Sequence, residues 1–118
     1  AGAGLMIVIS LPTPPSANRI WRSGKGSVYR SKEYDAWTKR VGQELMIVHA
    51  KPVKGAVRIE ILVSDKVRGD LDNRCKPTID ALVKFGMIDG DDKKTVKAIQ
   101  LRWDALVKGI QVTVARTL

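Results

Sequence analysis

A chain of 118 residues with 21 Lys and Arg, 12 Asp and Glu and a net charge of +9 has room for one domain around a single core. At 44% apolar residues it is too hydrophobic for a disordered basic tail, and its longest apolar run, Leu5 to Ile9, is far short of the ~20 residues a bilayer span needs. One cysteine, Cys75, and one histidine, His49, exclude intrachain disulfides and Cys/His-rich zinc sites, so a bound metal must rest mainly on oxygens, as Mg²⁺ or Mn²⁺ does.

Residues 1–5, beginning Ala1-Gly2-Ala3-Gly4, read as an expression-tag remnant, which leaves 6–118 as one domain. The apolar run that follows lacks the basic start of a secretory signal, so a cytoplasmic location is expected. Met6 to Leu11, nearly all apolar and rich in β-branched residues, predicts a strand buried on both faces and ended by Pro12, Pro14 and Pro15. Ser16 to Ser31 reads as a polar, basic loop in which Gly24-Lys25-Gly26-Ser27 turns a short hairpin; the spacing of a phosphate-binding GxxxxGK[ST] loop is missing. Ser31 predicts an N-cap with Glu33 in the first turn. Tyr34, Trp37, Val41, Leu45 and Val48 then form one face of a helix from about 32 to 50, stopped by Pro52 and Gly55.

Val57, Ile59, Ile61 and Val63 alternate with Arg58, Glu60, Leu62 and Ser64, predicting a strand with one buried face. A second helix lies within 71–85 and ends at Gly86, and Pro77 implies a distorted first turn around 72–76. Two further alternating strands, Ile99-Leu101-Trp103 and Ile110-Val112-Val114, are expected to form a hairpin across Asp104 to Gly109, with Trp37 and Trp103 in the core.

Charge is unevenly placed. Residues 70–92 hold six aspartates and three bases, a net −3, so the other 95 residues carry +12. A basic body suits a polyanion such as nucleic acid, whereas an acidic island inside it repels phosphate unless a cation sits there. If Asp70-Leu71-Asp72 is extended, its two carboxylates point the same way; Asp72 also has the option of capping the next helix. Asp72, Lys76 and Asp80 follow at i, i+4 and i+8, and Asp91-Asp92, after the Asp89-Gly90 turn, is placed to fold back toward the first pair. Carboxylates gathered in this way suit Mg²⁺ and phosphodiester hydrolysis, with Lys76 offsetting transition-state charge. Taken singly, each has an ordinary reading as a turn, a cap or a surface ion pair.

Asp70-Leu71-Asp72-Asn73-Arg74-Cys75-Lys76, then Asp80-Ala81-Leu82, Gly86 and Asp91-Asp92, closely resemble the RusA family of Holliday junction resolvases. Pro15 to Arg22 resembles that family's early PxxNxxW-type loop, and Tyr29-Arg30-Ser31, Tyr34 and Trp37 the approach to its first helix. The resemblance spans about residues 6 to 115 and implies an α+β fold, a small mixed β-sheet with two main helices packed on it. It implies a homodimeric, Mg²⁺-dependent endodeoxyribonuclease (Mn²⁺ as possible substitute) that nicks four-way DNA junctions symmetrically in recombination and repair, with no small-molecule cofactor and no membrane partner. By position, Asp70, Asp72, Asp92 and Lys76 match catalytic residues; Asp70, Asp72, Asp91 and Asp92 match metal ligands; Asn73 and Asp80 are supporting. The Asp89-Gly90 insertion leaves open whether Asp91 or Asp92 is the third carboxylate.

A C₂ dimer suits a two-fold symmetric junction. Asn18, Arg19, Trp21, Arg22, Lys25, Arg30, Lys32, Arg68 and Arg74 are the candidates for DNA contact, although Trp21 and Tyr29 are equally readable as packing residues. Cys75 reads as a bystander and His49 as a residue at the helix C-terminus. The alternative readings are a non-catalytic nucleic-acid-binding protein with a structural acidic turn, and a metal phosphohydrolase of small esters.

Overall fold

The computed structural model describes residues 5–16, 21–24 and 27–117, with 21–24 and 27–30 as backbone only. In chain order the elements are β1 (Met6–Leu11), β2 (Trp21–Gly24), β3 (Ser27–Arg30), α1 (Lys32–Ile47), β4 (Val57–Ser64), a 3-10 turn (Leu71–Arg74), α2 (Cys75–Lys84), β5 (Val96–Asp104) and β6 (Ile110–Arg116). One mixed sheet runs β1-β6-β4-β5, while β2 and β3 pair antiparallel as a separate hairpin with Gly24 opposite Ser27, as the glycines around it predict. The fold is α+β.

The most regularly alternating strand becomes an inner one. Val57, Ile59, Ile61 and Val63 of β4 and Ile110, Val112 and Val114 of β6 are all at most 2% exposed, under Trp37, Val41 and Leu45 of α1 and Ile79 and Leu82 of α2. β4 and β5 are parallel, and α2 lies in the crossover that a parallel pair requires. β6 is antiparallel to both β1 and β4.

Three expectations fail, and each fails on a non-local contact. β5 and β6 form no hairpin, because β4 lies between them: Val63 pairs with Trp103 on one side and Ile110 on the other. Residues 105–109 step over β4, a distance of about 10 Å that five residues easily span. Gly109 completes the step at φ +68°, where a Cβ would collide with the Leu11 carbonyl oxygen. β1 is buried on one face only; Ile9 and Leu11 are inside, whereas Met6 and Val8 are exposed, because the helices cover one side of the sheet. Trp103 is not core. With Ile99 it shares the helix-covered face, but on edge strand β5 beyond the helices' cover, and the two side chains are 41% and 43% exposed.

Ser31 caps α1 as predicted: its backbone is extended and its side chain accepts the Tyr34 N–H at 3.1 Å. The helix ends at Ile47, before Pro52 and Gly55 are reached, because His49 turns the chain at φ +53°; Val48 is consequently exposed. Trp37 is buried, stacks on Tyr34 and donates its indole N–H to the Pro12 carbonyl at 2.9 Å. That bond holds the chain after β1 against α1. The distorted turn before α2 is the 3-10 turn, and Pro77 is the third residue of α2, where a backbone N–H has no acceptor within the helix. Gly86 follows the C-cap of α2 at φ +71°.

Candidate active site

Asp70 stands at the cap position of the 3-10 turn with extended backbone (φ −85°, ψ 142°) and makes no side-chain cap bond; Asp72 lies inside the turn. Both are exposed, with half-buried Leu71 packed against the core between them. The segment is therefore a turn rather than an extended run, and Asp72 caps nothing, since Arg74 occupies the cap position of α2. A cleft of about 560 Å³ opens here, lined by Ser16, Glu33, Arg68, Gly69, Asp70, Asn73 and Arg74. Ser16 and Glu33 escaped the sequence pattern because they reach the cleft from the two ends of the basic loop. The only local signal was the Ser31 cap, which places Glu33 in the first turn of α1.

Lys76 ion-pairs with Asp80 at 3.4 Å, one helical turn on, rather than sitting between Asp72 and Asp80. Its side chain is 65% exposed, so the pair contributes only a few tenths of a kcal/mol and leaves the ammonium available. Burial pushes the Cys75 thiol up from its ordinary value, and the charges of Asp72 and Asp80 add to the effect.

Arg74, expected as a DNA contact, lines the cleft and is also held by the protein's own carbonyls. Its guanidinium donates from Nη1 to the Pro14 carbonyl and from Nη2 to the Arg68 carbonyl at 2.7 Å. Lys32 and Arg68 are exposed, as a DNA contact requires. Trp21, Arg22 and Arg30 lie on β2 and β3, whose side chains are not among the described residues, and Asn18, Arg19 and Lys25 lie outside the described residues altogether.

The Asp91-Asp92 turn does not fold back onto Asp70 and Asp72. The ten residues of α2, about 15 Å of helix, separate them. Thr95 and Val96 donate their N–H groups to the Asp92 carbonyl, and Val57 donates to the Thr95 carbonyl, which fixes this turn at the N-terminal ends of β4 and β5. The Asp70 turn belongs to the other end, where Ser64 pairs with Asp104 and Arg74 reaches Pro14 beyond β1. Among the described residues, no three Asp, Glu, His or Cys side chains converge as a metal site.

Asp92 braces its own turn, its Oδ1 accepting the Lys94 and Thr95 N–H groups at 3.1 and 3.0 Å. The Thr95 hydroxyl and these amides hold the Asp92 carboxyl below its ordinary value. Asp89 is lowered as well, by the Gly55 N–H at 2.9 Å and by Lys54 at 3.3 Å, which ties the turn to the chain before β4. A lowered carboxyl stabilises the fold fully above its unfolded value and loses that contribution as pH falls through the folded one. The Thr95 amide resonance should therefore titrate with a midpoint below the value of about 3.9 for a free aspartate; a midpoint at or above that value contradicts the bracing.

The family model for endodeoxyribonuclease RusA matches residues 12–115. The chain is 43% identical over 83 residues to a crossover junction endodeoxyribonuclease of Enterobacteria phage 82, covering 66% of this chain and 68% of that one. Over the same length and coverage it is 42% identical to the proteins of that name from Escherichia coli K12 and Shigella sonnei.

Proposed function

Since the chain belongs to the RusA family of endodeoxyribonucleases, we propose that it cuts four-way DNA junctions by paired, symmetric phosphodiester hydrolysis with Mg²⁺, acting in the cytoplasm. The observation that carries this reading is the pair of exposed carboxylates, Asp70 and Asp72, on one tight turn of an otherwise basic chain. Two carboxylates two residues apart on one exposed turn can share a cation that offsets their like charge. Their donor set is all oxygen, and Mg²⁺ uses one or two protein carboxylates, keeping its remaining positions for water and phosphate. With one cysteine and one histidine in the whole chain, a Cys/His-rich zinc set is out of reach, which favours a hard cation on these oxygens. The bound ion supplies Lewis acidity and a more acidic water. Asp70 and Asp72 would hold it, Asn73 lines the cleft beside Asp70, and Lys76 would offset negative charge developing on the phosphoryl oxygens. Lys32, Arg68 and the 18–30 loop (Asn18, Arg19, Trp21, Arg22, Lys25, Arg30) hold the DNA.

The third carboxylate comes from the Asp91-Asp92 turn of a second copy. β5 is a nine-residue edge strand that leaves Ile99 and Trp103 exposed, a surface that invites pairing. Antiparallel pairing of two β5 strands about a two-fold axis sets Ile99 opposite Leu101 and Trp103 opposite Lys97 when Gln100 lies on the axis. The start of one β5, which carries the Asp91-Asp92 turn, then meets the end of the other, where the Asp70 turn lies. Such a homodimer has two equivalent sites, matching the two-fold symmetry of the junction.

The decisive assay compares a synthetic four-way junction with linear duplex of the same sequence, in Mg²⁺, Mn²⁺ and EDTA. Junction cutting in metal, with neither duplex cutting nor cutting in EDTA, is expected. A junction that is bound but uncut in both metals sinks the nuclease reading in favour of a non-catalytic DNA-binding protein.

A further inference from the structure

We propose that Arg74 is a positioning residue of this site: its guanidinium closes the Arg68–Arg74 segment into a loop around Asp70 and Asp72 and ties that loop to the chain at Pro14. The inference rests on the nuclease reading for what the loop is for, but not for the contacts themselves. Nη2 donates to the Arg68 carbonyl at 2.7 Å, six residues back, so both aspartates lie inside the closed ring. Nη1 donates to the Pro14 carbonyl, sixty residues back, at the start of the basic loop. Gly69 passes the guanidinium closely, at φ +103°, and a Cβ there would lie 3.4 Å from Nη2. The backbone of Arg74 is anchored in turn, its carbonyl accepting the Thr78 hydroxyl at 2.8 Å in the first turns of α2.

The chemistry selects arginine. A planar guanidinium offers two rigidly spaced donors to two carbonyls at once, and charge-assisted bonds to carbonyls are stronger than neutral ones. A lysine ammonium reaches one carbonyl or the other without the same geometry. Exposed carboxylates on a short turn have little else to fix their separation, and an error of about 1 Å in such placement costs on the order of a hundredfold in rate.

The test is Arg74→Met, which keeps the apolar stem, beside Arg74→Lys. Amide hydrogen exchange over residues 68–73 should accelerate about tenfold or more in the methionine variant, with β4 amides unchanged. Affinity for a four-way junction in EDTA should stay within about threefold of the parent, because the guanidinium's Nη donors are taken up by the Pro14 and Arg68 carbonyls. Cutting at saturating junction should fall about a hundredfold, with a higher Mg²⁺ requirement, and the lysine variant should recover only part of it. If Arg74 instead contacts phosphate, junction affinity and its salt dependence fall while the saturated rate and the exchange rates hold; that result overturns the proposal. The exchange and affinity arms need no cleavage, so they test Arg74 even where the parent protein binds junctions without cutting them. Unchanged exchange over 68–73 overturns it as well.

Discussion

Asp72→Asn should abolish junction cutting, by about a thousandfold or more at saturating Mg²⁺, and leave junction binding unchanged or tighter. The amide is isosteric, and Asp72 makes no cap bond that the substitution removes. The 3-10 turn and α2 should therefore form as before, and the melting temperature should move little. What is lost is one anionic oxygen ligand for the cation and the charge that pulls it toward the phosphate. A drop of three decades in rate corresponds to about 4 kcal/mol of transition-state stabilisation, the scale reached when a metal ligand or oxyanion partner is removed. Binding responds in the opposite direction, because a negative charge facing the DNA backbone is gone. Gel-shift titration in EDTA and single-turnover cutting in Mg²⁺ separate the two. Full activity in Asp72→Asn removes this carboxylate from the site. Loss of folding or of binding gives it a structural role instead.

Subunit mixing gives the second large effect. If each site takes Asp72 from one subunit and Asp92 from the other, homodimers of Asp72→Asn and of Asp92→Asn are both inactive. A heterodimer of the two has one site carrying both substitutions and one site carrying neither. Equal mixing of the inactive proteins makes about half of the dimers mixed, so single-strand nicking of the junction should return to roughly a quarter of the parent's rate per total dimer, or about half per mixed dimer, with few paired cuts. If all the carboxylates of a site came from one chain, every site in the mixture would carry a substitution and no activity would return. The same experiment with Asp91→Asn decides which member of the turn reaches the cation. Asp92 is already committed to bracing that turn through the Lys94 and Thr95 amides. A variant with the edge broken, Gln100→Pro on β5, should be monomeric by sedimentation and inactive, because proline cannot donate to a new strand pair.

Much of the molecule is legible along the chain, because its causes are local. Ser31 caps α1 because a serine hydroxyl reaches an amide three residues away. The alternation from Val57 to Val63 marks the buried face of β4 because successive side chains point to opposite faces. Pro77 forecasts a distorted helix start, and the 3-10 turn is there. The spacing of Asp70, Asp72, Asn73 and Lys76 points to the family, since a short motif is written in nearly consecutive residues. What misled were contacts between distant segments. Trp103 has the periodicity of a core residue, but periodicity names a face and not how far the helices extend over it. The reading of Arg74 as a DNA contact followed from its charge, whereas its bonds to the carbonyls of Pro14 and Arg68 come only from the fold that brings them beside it.

The sequence by itself determined the element types, the family and the candidate residues for the chemistry, because helix caps, alternation and short motifs act within a few residues. Only the tertiary structure decided how those residues are distributed in space. Inserting β4 between β5 and β6 turned an expected hairpin into a parallel pair, and laying α2 along that crossover put Asp70 and Asp72 at one end and Asp91 and Asp92 at the other. The physical reason is burial: β4 has a fully buried apolar face and gains most from neighbours on both edges, whereas β5, with Lys97, Arg102 and Asp104, loses least at the edge. That choice depends on comparing strands across the whole chain, which no local pattern contains.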